Sequence, residues 1–313
     1  DIRFSSWKEE FDSPRGRQLH NLYLMKINHL FFTLFIMFMY GSAYPIGKIG
    51  INNFPPLLMG SLRVLFLFLF ILPFFRFSIP KKNFKHLLLF SFVMGVCVYA
   101  FCYLALDFSS LVSPIIIGAQ LTIPFGLILS KFMLKENISL KKWILIFSSF
   151  CGIVIVAYDP RFGEEIFGLI FIAIMAFFYA LANILSRYLK NINTVDQIGW
   201  HSFIGFIILI FASILIDGNP FNYLYPINYG GLLTAFHAGV FVSLIGHGGL
   251  FYLYKYYPVA TVLPYYSLFP LFGIALTFII FLEIPGLYEI IGGIIVIGSV
   301  YLIQLQDKQS LRL

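Results

Sequence analysis

The sequence predicts an all-α integral membrane protein whose ten transmembrane helices form two five-helix repeats of inverted topology, with both termini cytoplasmic. Three observations predict it. Of the 313 residues, 60% are hydrophobic and only 11% charged, at a mean hydropathy of +0.89, far from the balance of a soluble domain. Apolar stretches of about 20 residues, the length that crosses a bilayer core, recur along the chain. The chain also resembles itself when the sequence is slid along its own length.

The spans follow from apolar runs bounded by charge, Pro/Gly or Asn clusters. The first, 29–49, follows Lys26 and closes at Lys48. The second, 54–75, opens on FPP and carries Arg63 near its middle. The third, 84–106, begins at Phe84 after KKN, and the fourth, 111–133, ends where the lysine-rich loop around Glu136 begins. The fifth, 141–158, is the shortest; the sixth, 166–189, ends at Arg187 and Lys190. The seventh, 196–216, precedes the longest loop, DGNPFNYLYPIN (217–228). The eighth and ninth, 229–253 and 259–281, are separated by Lys255, and the tenth, 287–305, follows Glu283, Pro285 and Gly286. The organisation read from this is a segment 1–28, a first repeat 29–158, a second repeat 166–305 and a tail 306–313. The short loops leave no room for a soluble domain, so function must lie in the bundle or at its mouths.

A shift of 147 residues (136 to 283) sets 106–140 against 253–287 and pairs Leu121 with Leu268, Phe125 with Phe272, Gly126 with Gly273 and Glu136 with Glu283. A shift of 139 (40 to 179) pairs Tyr40 with Tyr179, Ala43 with Ala182 and Lys48 with Arg187. Five spans per half is an odd number, so the second half enters the membrane in the opposite sense. Inverted repeats of this kind are the usual architecture of secondary transporters, with the cargo site near the midplane.

Lysine and arginine placement sets the orientation: 18 fall on the side of the termini and two, Lys48 and Arg161, on the other, with Arg63 inside the membrane. By the positive-inside rule the termini are cytoplasmic, and the formal charge of +7 reports topology rather than a nucleic-acid partner. Residues 1–24 have no apolar core and do not read as a signal peptide. Met25 looks like a natural start, so those residues read as an added extension, an alternative upstream start or a disordered tail. Cys97, Cys102 and Cys151 lie in apolar spans without CxxC spacing and read as reduced packing residues, with no disulfide framework, metal site or cofactor.

Arg63 lies nine residues from Phe54, about 13 Å deep at 1.5 Å per residue, where a cation costs roughly 2.5 to 3.5 kcal/mol even on the lenient insertion scale. No Asp or Glu sits at matching depth in any span. Two readings are open: an arginine satisfied by backbone carbonyls where helices cross, or a counter-ion for a cargo carboxylate. Gln120, nine residues into the fourth span, either binds cargo or makes an interhelical hydrogen bond. Its repeat partner Ser267 lies beside Tyr265 and Tyr266, between Pro264 and Pro270, which would free backbone carbonyls along a cavity wall. Tyr40 and Tyr179 fall near the midplane, and Asn183 lies one turn from Tyr179. His237 and His247 sit ten residues apart on different faces; His247, in LIGHGGL, is the better cavity candidate because its glycines allow close helix approach. Trp200, His201 and most remaining tyrosines lie near span ends and read as interfacial anchors.

The runs KIGINNFPPLLMGSLR (48–63), SPIIIGAQLTIPFG (113–126) ending at Glu136, AFFYALANILSRYL (176–189) and YYPVATVLPYYSLFPLFGIALTFIIFLEI (256–284) resemble the EamA branch of the drug/metabolite transporter superfamily across essentially all of 29–305. The pattern is most similar to the bacterial O-acetylserine/cysteine exporters. Pro285 and Gly286 have no counterpart after Glu136, a departure from a symmetric gate. The resemblance implies a multi-pass protein of the bacterial inner membrane, with a central polar cavity, alternating access and export of amino acids or their derivatives. Drug, cation or nucleoside transport on the same fold is the alternative, and lipid translocation or a non-catalytic membrane role is a further one. An enzyme reading finds no support: there is no HExxH, no GxSG-type serine and no pair of membrane aspartates. A sugar-phosphate carrier is disfavoured because spans four and nine hold no internal Lys or Arg for phosphate. The partners implied are a small-molecule cargo and the lipid bilayer.

The orientation is testable directly. On a cysteine-free background, single cysteines placed in 217–228 should be labelled by an impermeant reagent only from outside sealed cells; labelling of that loop from the cytoplasm would invert the assignment.

Overall fold

The computed structural model describes residues 25–78, 83–135, 137–159, 166–254, 256–257 and 262–310, and the regular structure among them is helical. The sequence expectations for residues 1–24, Glu136 and Arg161 lie outside the described residues. The helices are α1 (Ile27–Ile51), α2 (Pro56–Phe74), α3 (Phe84–Asp107), α4 (Ser113–Met133), α5 (Leu140–Ala157), α6 (Ile166–Tyr188), α7 (Thr194–Ile216), α8 (Tyr229–Leu250), α9 (Tyr265–Phe281) and α10 (Leu287–Leu305). Nine of these are long and apolar enough to cross a membrane; α9 is shorter and is led in by a 3₁₀ stretch at Leu263–Leu268.

Helix starts are set by residues suited to them. Pro56 and Pro114 occupy first turns, where a missing N–H costs nothing. Asn193 accepts from Val195 N at 3.1 Å to begin α7, and Asn228 accepts from Gly231 N at 2.9 Å to begin α8. Within lipid every backbone group must be satisfied internally, and charged side chains at one face of the bundle meet that need where helices end. Lys48 Nζ donates to the carbonyls of Leu106 and Ser109, each at 2.7 Å, around the C-terminal end of α3. Asp217 accepts from Leu58 N at 3.1 Å in the first turn of α2. Glu283 accepts from Val112 N and Ser113 N, both at 2.8 Å, where α4 begins. In each case the charge has the sign that complements the helix end it meets.

The helices approach closely at small residues, as packing in lipid requires. A Cβ on Gly292 of α10 would sit 2.5 Å from the Gly152 carbonyl oxygen of α5, and one on Gly239 of α8 would sit 2.5 Å from the Arg63 carbonyl oxygen of α2. Gly95 of α3 approaches the His201 carbonyl of α7 in the same manner. A shift of 144 residues (95 to 239) therefore relates two equivalent crossings. The same shift relates two π-helical stretches, Val93–Val98 in α3 and His237–Gly246 in α8, which begin at equivalent positions (93 to 237). Such widened turns are frequent at functional sites.

Removing the Glu283 cap exposes two amide donors in a buried setting. Glu283→Ala should lower the thermal unfolding temperature of detergent-purified protein, by an effect of about 1.5–3 kcal/mol, with Glu283→Gln intermediate. An unchanged melting curve for the alanine variant would show that the cap contributes nothing.

Candidate functional site

Midway through the bundle a cavity of about 740 Å³, its open mouth included, is walled by α1, α2, α3 and α4 of the first repeat and α6, α8 and α9 of the second. Both halves thus contribute to one space. Six of the nine residues expected at the site line it: Tyr40, Arg63, Gln120, Tyr179, His247 and Tyr266. The other three are elsewhere. Asn183 is exposed, one turn along α6 from Tyr179. Tyr265 and Ser267 flank Tyr266 in the 3₁₀ stretch, whose period of about three residues puts Tyr266 and Phe269 on the cavity wall and turns their neighbours away.

Arg63 is 7% exposed. Its Nε and Nη2 donate to Ser243 Oγ of α8 at 3.2 and 3.1 Å, and its guanidinium carbon lies 4.5 Å from the centre of the Tyr99 ring, a cation–π distance. Ser243 Oγ in turn donates to Ala238 O at 2.9 Å, five residues back, a reach that suits the widened turn. One donor and two acceptor sites make up a hydroxyl, so Ser243 is fully used. The Tyr103 phenol lies beside the guanidinium without a well-formed hydrogen bond to it. The carbonyl partners expected for a structural arginine are absent among the described residues; a side-chain hydroxyl takes their place.

Gln120 is 2% exposed and its Nε2 has no hydrogen-bond partner among the described residues. It stands at a joint in α4 between helical pieces Ser113–Ala119 and Thr122–Met133. The cause is Pro124, which cannot donate to the Gln120 carbonyl; Ile123 N bonds that carbonyl instead at 3.1 Å, tightening the turn.

Each histidine of α8 meets a hydroxyl on α1. Tyr40 Oη and His247 Nδ1 are 2.9 Å apart, and Ser42 Oγ and His237 Nε2 are 3.1 Å apart. Because Ser42 Oγ donates to Met39 O at 2.8 Å, it accepts from His237, which makes Nε2 the protonated nitrogen of that ring and leaves Nδ1 bare. His247 lines the cavity and His237 does not. Tyr44, Tyr99 and Phe269 also line it and were missed in sequence. Tyr44 was findable, one helical turn from Tyr40, and its ring stacks on Phe269 with centroids 6.2 Å apart. Cys102, read as a packing residue, lines the cavity as well.

A family profile, the EamA-like transporter family, matches residues 28–158 and again 166–305. The chain belongs to the EamA-like transporter family. This EamA-like chain is a multi-pass membrane transporter of small molecules and not an enzyme. It is 22% identical over 279 residues to a protein of Escherichia coli (strain K12) named "Probable amino-acid metabolite efflux pump", covering 86% of this chain and 92% of that one. A protein of the same name in Salmonella typhimurium is 21% identical over 280 residues, covering 87% and 93%. An uncharacterized transporter of Bacillus subtilis (strain 168) is 24% identical over 219 residues, covering 64% and 73%. A crystal structure superposes with a TM-score of 0.63 at 13% identity, over 91% of this chain and 99% of its own; that likeness shows the fold.

The Tyr40–His247 contact can be isolated by a double-mutant cycle. Tyr40→Phe and His247→Phe should each cost about 0.5–1.5 kcal/mol of stability, and the double variant less than their sum, because both remove one interaction. Strict additivity would show that the two side chains act independently.

Proposed function

We propose that this EamA-like protein exports amino acids or small polar derivatives of them by alternating access, from a bacterial inner membrane in which both termini face the cytoplasm. The observation that carries the reading is a midplane cavity shared by both inverted halves, walled by aromatic rings and holding one buried cation and one buried amide. Rocking one half against the other exposes such a space to each side in turn. The names of the Escherichia coli and Salmonella relatives support amino-acid metabolites as cargo, and the basic-residue asymmetry supports the orientation. The aromatic wall also suits lipophilic drug cations, the second reading, but Arg63 repels a cation at the cavity's centre.

Counterflow in proteoliposomes separates the two. Vesicles preloaded with an amino acid or O-acetylserine should accumulate labelled cargo of the same class, whereas nucleosides and cationic drugs should neither exchange nor compete. Exchange confined to cationic drugs would establish the second reading, and exchange confined to nucleosides would exclude amino-acid export.

A further inference from the structure

We infer that the cargo presents a carboxylate to this cavity, bound jointly by the guanidinium of Arg63 and the side-chain amide of Gln120. The inference rests on the transport reading and names the chemical group that the site recognises: carboxylic acids, with or without a free amine.

The charge balance of the cavity leads there. Arg63 carries a permanent positive charge and lines the space, yet no Asp or Glu lines it with it. The acidic residues of the described helices lie at helix ends, with Asp217 and Glu283 committed to backbone amides there. A hydroxyl group accepts hydrogen bonds but cannot neutralise a cation, and Ser243 receives two of the five guanidinium protons at one oxygen. Nη1 makes no well-formed hydrogen bond among the described residues, the neutral Tyr103 phenol beside the guanidinium being poorly placed to accept one, so part of a planar donor fork suited to a carboxylate is left for a better acceptor. Gln120 supplies the second, independent observation: a buried amide nitrogen in the same cavity with nothing to donate to. A carboxylate accepts about four hydrogen bonds, enough for both donors. Primary amides, amines and nucleosides bring no negative charge to this place. A phosphate brings about two, against one cation.

The test uses the purified full-length protein and two matched pairs, N-acetyl-L-leucine with its amide and L-leucine with its amide, measured by calorimetric binding. The acids should bind wild type ten- to a hundred-fold more tightly than the amides, as loss of a charge-assisted hydrogen bond implies. Arg63→Gln should erase that ratio by weakening the acids alone, and Arg63→Lys should restore part of it. Equal binding of acid and amide to wild type, failure of all four compounds to bind, or a ratio that survives in Arg63→Gln would overturn the inference. Should Arg63→Gln not fold, Gln120→Leu decides: it leaves the cation in place and should reduce the ratio severalfold, and an unchanged ratio would overturn the joint site. Liposome counterflow reports separately on transport, so exchange of a cargo without acid preference defeats the carboxylate and leaves the transporter standing.

Discussion

A guanidinium at the centre of a bilayer has to be satisfied by whatever lies within a side chain's reach, and the middle of this protein is organised around that constraint. Arg63 on α2 reaches Ser243 on α8, joining the first repeat to the second. The crossing is tight because Gly239 lets α8 settle against the backbone of Arg63 itself. The widened turn of α8 places Ser243 so that its hydroxyl is anchored to Ala238 while accepting from Arg63. Across from it, α3 brings the Tyr99 ring to the cation. One buried charge therefore fixes the relative placement of three helices, and the cavity opens beside it.

The same economy governs the bundle's ends. Lys48 on α1, Asp217 just past the end of α7 and Glu283 in the connection between α9 and α10 each satisfy the backbone of another helix. Because these bonds cross between helices at a single face, they hold that face together. Moving the helices apart there requires several charge-assisted bonds to be exchanged for bonds to water.

Much of this was legible in the sequence. Apolar run length gave the spans, since a helix must hide its backbone from lipid for a fixed distance, and the repeat emerged from the spacing of Glu136 and Glu283. Arg63 announced itself by its cost. What the sequence did not reveal were departures from the regular helix. Nothing in VMGVCV or HAGVFVSLIG marks a π turn, because the change lies in which carbonyl an amide chooses. Ser243 carried no signal of its own: a serine in a spanning helix commonly bonds back to its own turn, as Ser42 does, and the sequence does not say which serine also meets a partner on another helix. Ser267 was expected as the repeat partner of Gln120 and Tyr265 as its neighbour, whereas the local 3₁₀ geometry puts Tyr266 and Phe269 on the wall. Asn183 followed Tyr179 by one turn, but that turn had already left the cavity.

The paired π segments bear on how residues of this chain are matched with those of its relatives. A π turn holds more residues than the α turn it replaces, so beyond Val98 and Gly246 the side chains are rotated around their axes relative to an uninterrupted helix. An alignment with a relative whose helix is regular at these points needs a gap inside each segment. Without it, the residue set opposite Tyr99 or His247 would face a different neighbour, and a comparison of cargo preference between the two proteins would compare side chains that never occupy the same wall.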